Sequence, residues 1–148
     1  MLNEGIKIFI EAVIMLTGVI AFIVSACQVK QQLKFSLFEK YTARFSQIMQ
    51  SMPEEFFKED VETLSEKKKD EINHYIRLYF DLCSEELYLY EQKRVDEKVW
   101  REWKDGIKES FNNPLIRSFF INNYDTYHRA YGNFYRLIDK EILNKDIH

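Results

Sequence analysis

The stretch "EAVIMLTGVIAFIVSACQVKQQ", Glu11 to Gln32, decides how the rest of the chain is read. It carries no charge from Ala12 to Val29. As a helix that length covers about 27 Å, close to the hydrocarbon thickness of a bilayer. Extending it back to Ile6 adds apolar length, so residues 1–29 read as a transmembrane anchor with Lys30 as its stop. Positive charges come after the apolar run at Lys30, Lys34, Lys40 and Arg44, against a single Glu39. On the other side Lys7 stands with Glu4 and Glu11. The positive-inside rule then places the N-terminus outside the membrane and residues 30–148 in the cytoplasm.

The same stretch has a second reading. Val24-Ser25-Ala26-Cys27 is how a lipoprotein signal ends before its lipid-bearing cysteine, which would make the mature protein an envelope lipoprotein anchored at Cys27. The residues after Cys27 do not form a polar tether, however. Leu33, Leu37, Tyr41, Phe45, Ile48 and Met52 recur at helical spacing, so one helix is expected to run from the membrane to about Met52. The span is therefore the preferred reading. Glu11, Gly18 and Ser25 are spaced by seven within it, with Ala21 on the same side. Small residues on one side of a membrane helix let a second helix approach closely, making these four the expected membrane helix contact. The plainer reading of Glu11 is that it sits near the outer interface and reaches water.

A chain of 148 residues leaves room for one domain of ordinary size beyond the anchor. Its 21 Lys+Arg against 24 Asp+Glu show no basic excess, which argues against nucleic acid as a partner. Two cysteines, Cys27 and Cys83, cannot build a disulfide scaffold and suit a reducing compartment. With 4 Gly and 2 Pro there is no flexible linker or low-complexity segment.

The second part reads as an all-α bundle. Glu54 to Glu66 is polar apart from Phe56, Phe57, Val61 and Leu64, and is expected to form a short helix and a turn. Lys67-Lys68-Lys69 reads as a solvated helix start, with contact to anionic lipid as the alternative. From Lys67 to Gln92, Ile72, Tyr75, Ile76, Tyr79, Phe80, Cys83, Leu87 and Tyr90 make one wide apolar face, the best-defined core helix. Asp96 is placed as an N-cap, with Val95 and Trp100 able to pack across it as a hydrophobic staple. Asn113-Pro114 starts another helix, because proline fits the first helical position. A last helix is expected to start at the N-cap Asp125 and continue to Ile142. No segment shows strand alternation. The aromatics, 12 Phe, 9 Tyr and 2 Trp, sit at helical spacing and are assigned to the core before any tyrosine-lined ligand pocket. Gly106 and Gly132, inside helical patterns, mark either close helix crossings or a backbone surface open to a ligand.

Few constellations carry chemistry. Glu71 with His74, and Asp125 with His128, repeat the carboxylate-x-x-His spacing of dinuclear sites in helical bundles. His74 falls opposite the apolar stripe of its helix and should face water, so no metal and no cofactor are expected. Asp81, Glu85 and Glu86 form the densest polar set, with Asp81 and Glu85 outward and Glu86 toward the apolar stripe. A buried glutamate is a candidate general acid or base, though more often it is held by Arg, Tyr or Trp of a neighbouring helix. There is no glycine-rich phosphate loop and no assignable nucleophile with its histidine.

The pieces "EKYTARFSQIM" (39–49), "YIRLYFDLCSEELYLYEQ" (75–92) and "VDEKVWREWKDGI" (95–107), with the proline-led helix after them, resemble a group of short bacterial membrane-anchored proteins. The resemblance covers most of Lys30 to Phe120. It implies one N-terminal span, a helical domain and a bacterial source, and carries over no catalytic residue. The expected function is a membrane-anchored interaction or regulatory module that binds a protein partner or forms a homo-oligomer, with Tyr88, Trp100 and Trp103 as candidate contacts and no catalysis expected. A small oligomeric membrane effector, for example in phage defence, and a helical enzyme or metal protein using Glu86 or the His/carboxylate pairs are the alternatives.

Overall fold

The computed structural model describes residues 3–58 and 64–143. Among them six α-helices and one 3₁₀ turn occur, and no strand. Helix α1 covers Glu4–Ser51, the 3₁₀ turn Glu54–Phe57, α2 Glu66–Glu91, α3 Glu97–Ser110, α4 Pro114–Asn122, α5 Tyr124–Tyr127 and α6 Gly132–Glu141. Contacts divide the chain into a unit ending at Leu37 and a compact unit starting at Phe38.

The first unit consists of the apolar section of α1. Its most apolar window is long and apolar enough to cross a membrane, and none of it is buried within the protein. Phe22 is 75% exposed and Met15 72%. A helix this apolar in a soluble domain would be expected in the interior, because each exposed large side chain forgoes roughly 1.5–3 kcal/mol of burial.

In the second unit α2 packs against α3, α4 and α6. Of the predicted face it buries Ile72, Ile76, Tyr79, Phe80, Cys83 and Leu87, while Tyr75 and Tyr90 are half-buried; Leu82 and Glu86 are buried as well. Phe80 is the centre of the core. Its ring lies 5.9 Å from Phe111 (stacked), 5.7 Å from Phe119 (edge-on) and 5.4 Å from Phe134 (tilted).

The helix starts are set locally. The Ser65 side chain accepts from the Lys68 N–H at 3.4 Å, and Asp96 from that of Val99 at 3.1 Å. Val95 and Trp100 are both buried, as a staple across Asp96 requires. Asn113 Oδ1 accepts from the Leu115 N–H at 2.9 Å while its Nδ2 donates to the Phe56 carbonyl at 3.1 Å, so one side chain caps α4 and fixes the 3₁₀ turn.

Two expectations need correction. The last helix does not run unbroken from Asp125 to Ile142: α5 ends at Tyr127 and α6 starts at Gly132, and Asp125 lies within the first turn of α5, not at a cap. Tertiary bonds outweigh the helical pattern here. The Tyr131 hydroxyl donates to Asp81 and that of Tyr124 to the buried Asp139, while Gly132 weakens helix continuity by about 1 kcal/mol. Second, Gly106 and Gly132 are not close crossings, because a Cβ at either would meet no atom within 4 Å. The short helix expected after Pro53 is the 3₁₀ turn Glu54–Phe57; Val61, assigned to that segment, lies outside the described residues.

Candidate functional site

The site is built where the last three turns of α1 meet the middle of α2. In "DLCSEE", Asp81 to Glu86, helical geometry sends neighbouring carboxylates to different surroundings. Glu85 faces the end of α1. Its Oε1 accepts from Arg44 Nη2 at 3.1 Å and its Oε2 from Arg44 Nη1, completing a two-pronged pair, and the Tyr41 hydroxyl donates to Oε2 at 2.9 Å. The hydrogen bonds from Arg44 hold the Glu85 carboxyl below the usual carboxylate range. Burial, together with the bond to Glu85, pushes the Tyr41 hydroxyl up to about 12. The Arg44 guanidinium also lies 5.3 Å from the centre of the Tyr41 ring.

Asp81, half-buried, accepts from the Tyr131 hydroxyl and so ties α2 to the segment before α6. Between these two polar contacts lies an open groove of about 540 Å³, walled by Arg44, Ile48, Tyr75, Leu78, Asp81 and Tyr131.

Glu86 behaves differently. It is 6% exposed, and among the described residues its carboxyl makes no hydrogen bond or ion pair. Burial pushes it up to about 8, with nearby Arg44 opposing this and Glu85 adding to it. At neutral pH the group is mostly protonated. It lines a separate cavity of about 160 Å³ together with Tyr41, Phe45, Tyr79, Trp103 and Gly106. Cys83, one turn earlier, is fully buried, and burial raises its thiol well above the ordinary value.

The other sequence-derived candidates fall in several places. Glu11, Gly18, Ala21 and Ser25 are all exposed in the first unit, and the position of a Cβ on Gly18 is open. Tyr88 is 60% exposed on α2. Trp103 is half-buried, its ring 6.4 Å from Phe38 and 5.6 Å from Tyr41. Trp100, expected among the contact residues, is instead 4% exposed and stacked 5.0 Å from Tyr90; its role as staple partner removes it from the surface. His74 is exposed beside Arg77, and His128 packs on Tyr124. The described residues contain no group of three or more His, Cys, Asp or Glu placed to hold a metal ion.

Arg44, Tyr41 and Tyr131 complete the site and are not among the candidates that the sequence suggests. By sequence Arg44 is only a charge flanking the span, and Tyr41 a member of an apolar stripe. No family model matches the sequence, and no curated protein or solved structure matches it. The chemistry available is therefore that of the residues themselves: a two-pronged ion pair, a buried protonated acid and aromatic walls, suited to binding a cation or releasing a proton near neutral pH.

Proposed function

We propose that this protein is a single-span bacterial inner-membrane protein, N-terminus outside, whose helical unit lies in the cytoplasm and binds a protein partner or a second copy as an anchor or regulatory module. The observation that carries this reading is the apolar section of α1, unburied by the protein's own residues, on the same helix whose last turns supply Tyr41 and Arg44 to the helical unit. Lipid is the cover that such a surface fits. The charge asymmetry around it supports the orientation. Tyr88, exposed and off the core, and Trp103, half-buried at the edge of α3, are the contacts assigned to partner binding.

Reporter fusions test the orientation. A C-terminal fluorescent protein that needs the cytoplasm to mature should be bright, and a C-terminal alkaline phosphatase inactive; the reverse pair sinks the reading. For the contact role, Tyr88→Ala should leave the thermal midpoint unchanged and reduce cross-linking to a partner or second copy. A large fall in midpoint would assign Tyr88 to the core.

A second reading, an oligomeric membrane effector, is favoured by the exposed alignment of Glu11, Gly18, Ala21 and Ser25 on one side of α1. Permeabilisation of cells on overexpression that disappears with Gly18→Leu would support it. Equal permeabilisation by the variant would remove that stripe from consideration.

A further inference from the structure

The cavity beside Glu86 has features that the anchoring role does not use. Two aromatic contacts frame it: Tyr41 with Trp103, ring centres 5.6 Å apart, and Phe45 with Tyr79, 6.0 Å apart. Glu102 lies at its margin, and Gly106 supplies a stretch of bare backbone where a Cβ would meet nothing within 4 Å. A helix-interior glycine costs about 1 kcal/mol against alanine, and no close crossing accounts for it. The lining is mostly carbon; of its two carboxyl-bearing residues Glu102 is exposed, whereas Glu86 is 6% exposed and makes no hydrogen bond among the described residues.

We propose that the cavity bounded by Tyr41, Phe45, Tyr79, Trp103 and Glu86 is a binding site for a small alkylated ammonium cation, its charge met by the Glu86 carboxylate and the surrounding rings. The chemistry selects this class. Aromatic rings attract cations through their quadrupoles, and the combination of rings with one carboxylate suits a cation that carries methyl groups rather than a tight hydration shell. A bare metal ion needs several oxygen or nitrogen donors, and no such group occurs among the described residues. A neutral ligand would satisfy the protonated carboxyl only by a hydrogen bond and would make no use of the charge that the group takes on above about pH 8. At about 160 Å³ the cavity has room for a compact ammonium head.

The neighbouring charges leave the role open to a ligand. From α1, Arg44 is the cation acting on Glu86, and both prongs of its guanidinium are taken by Glu85. Tyr41 also donates to Glu85. From α2, Tyr79 and Cys83 lie alongside Glu86, and burial raises both well above their ordinary values, so neither supplies charge at neutral pH. From α3, Glu102 adds negative potential at the margin. A bound cation would draw the Glu86 proton off, so binding releases a proton below about pH 8 and tightens as pH rises toward it. The site stands on its own cavity, and would hold whether or not the helical unit also binds a protein.

The test uses the full chain in a maltoside detergent, which carries no ammonium group of its own. Tetramethylammonium chloride is titrated against sodium chloride at matched ionic strength while tryptophan fluorescence and thermal midpoint are followed. The expected result is a saturable change specific to tetramethylammonium, about tenfold or more tighter at about pH 9 than at about pH 6. Glu86→Gln should weaken binding by about tenfold or more and abolish its pH dependence. Gly106→Leu, which fills the opening without touching the carboxyl, should abolish binding while circular dichroism and the unliganded midpoint show a folded protein. Absence of a saturable change in the wild type, or binding that survives in either folded variant, overturns the proposal; the wild-type pH dependence decides it if neither variant folds.

Discussion

Single residues show where folding and function pull apart. Tyr135 is fully buried, and its hydroxyl has no hydrogen-bond partner among the described residues. Its ring stacks 4.3 Å from Phe120, so the aromatic body contributes to the core while the hydroxyl is desolvated without return. Tyr135→Phe should therefore stabilise the helical unit by about 1 kcal/mol in urea unfolding; destabilisation of that size would mean the hydroxyl is satisfied. Glu86 gives a pH signature. Its folded value of about 8 stands above the ordinary carboxylate value of 4.5, so between the two the folded state holds the extra proton and stability falls as pH rises. The loss starts near the ordinary carboxylate value and is complete above about 8. Glu86→Gln should remove it, becoming more stable than wild type by on the order of a few kcal/mol at neutral pH and no more stable under acid conditions. Parallel stability curves for the two proteins from acid to neutral pH would refute the assignment. The position of Glu86 was legible in the sequence, because the 3.6-residue period alone puts it beside Tyr79 and Cys83. The partners of Glu85 were not, because Arg44 and Tyr41 lie on a distant helix and no local signal encodes which faces meet.

At the level of elements, the end of α2 is the clearest case of a local rule broken. Lys93 takes a positive φ of 56°, the left-handed position that normally belongs to glycine. The bonds around it complete the termination motif: the Lys93 N–H donates to the Tyr90 carbonyl at 2.9 Å and that of Arg94 to Leu89 at 2.8 Å. A side chain there costs about 1–2 kcal/mol. Lys93→Gly should recover on the order of 1 kcal/mol, read as a higher midpoint in urea with unchanged slope; a lower midpoint would show that the lysine side chain contributes more than the backbone strain removes. The starts at Asp96 and Asn113 could be read from sequence because capping residues act on atoms two or three positions away. The division of the last helix could not. It arises from Tyr131 bonding to Asp81 and Tyr124 to Asp139, contacts that bring together separate parts of the chain.

Across the whole molecule, the all-helical composition and the long apolar first helix were both legible, since each depends on periodicity and hydropathy within one segment. The cavity beside Glu86 was not, because its walls come from α1, α2 and α3 and only folding assembles them. Function is held at one further remove: no matching relative lends a partner, and the case for an anchored module rests on the unburied apolar section of α1. The alternative in which cleavage before Cys27 leaves a lipidated chain predicts a different molecule. The intact mass of the protein recovered from alkaline-washed membranes of cells expressing this sequence separates the two. A membrane-retained species near 18.0 kDa is the expected result and means the apolar segment is kept as a span. A species beginning at Cys27 and carrying lipid, or recovery of the chain in the soluble fraction, would contradict it.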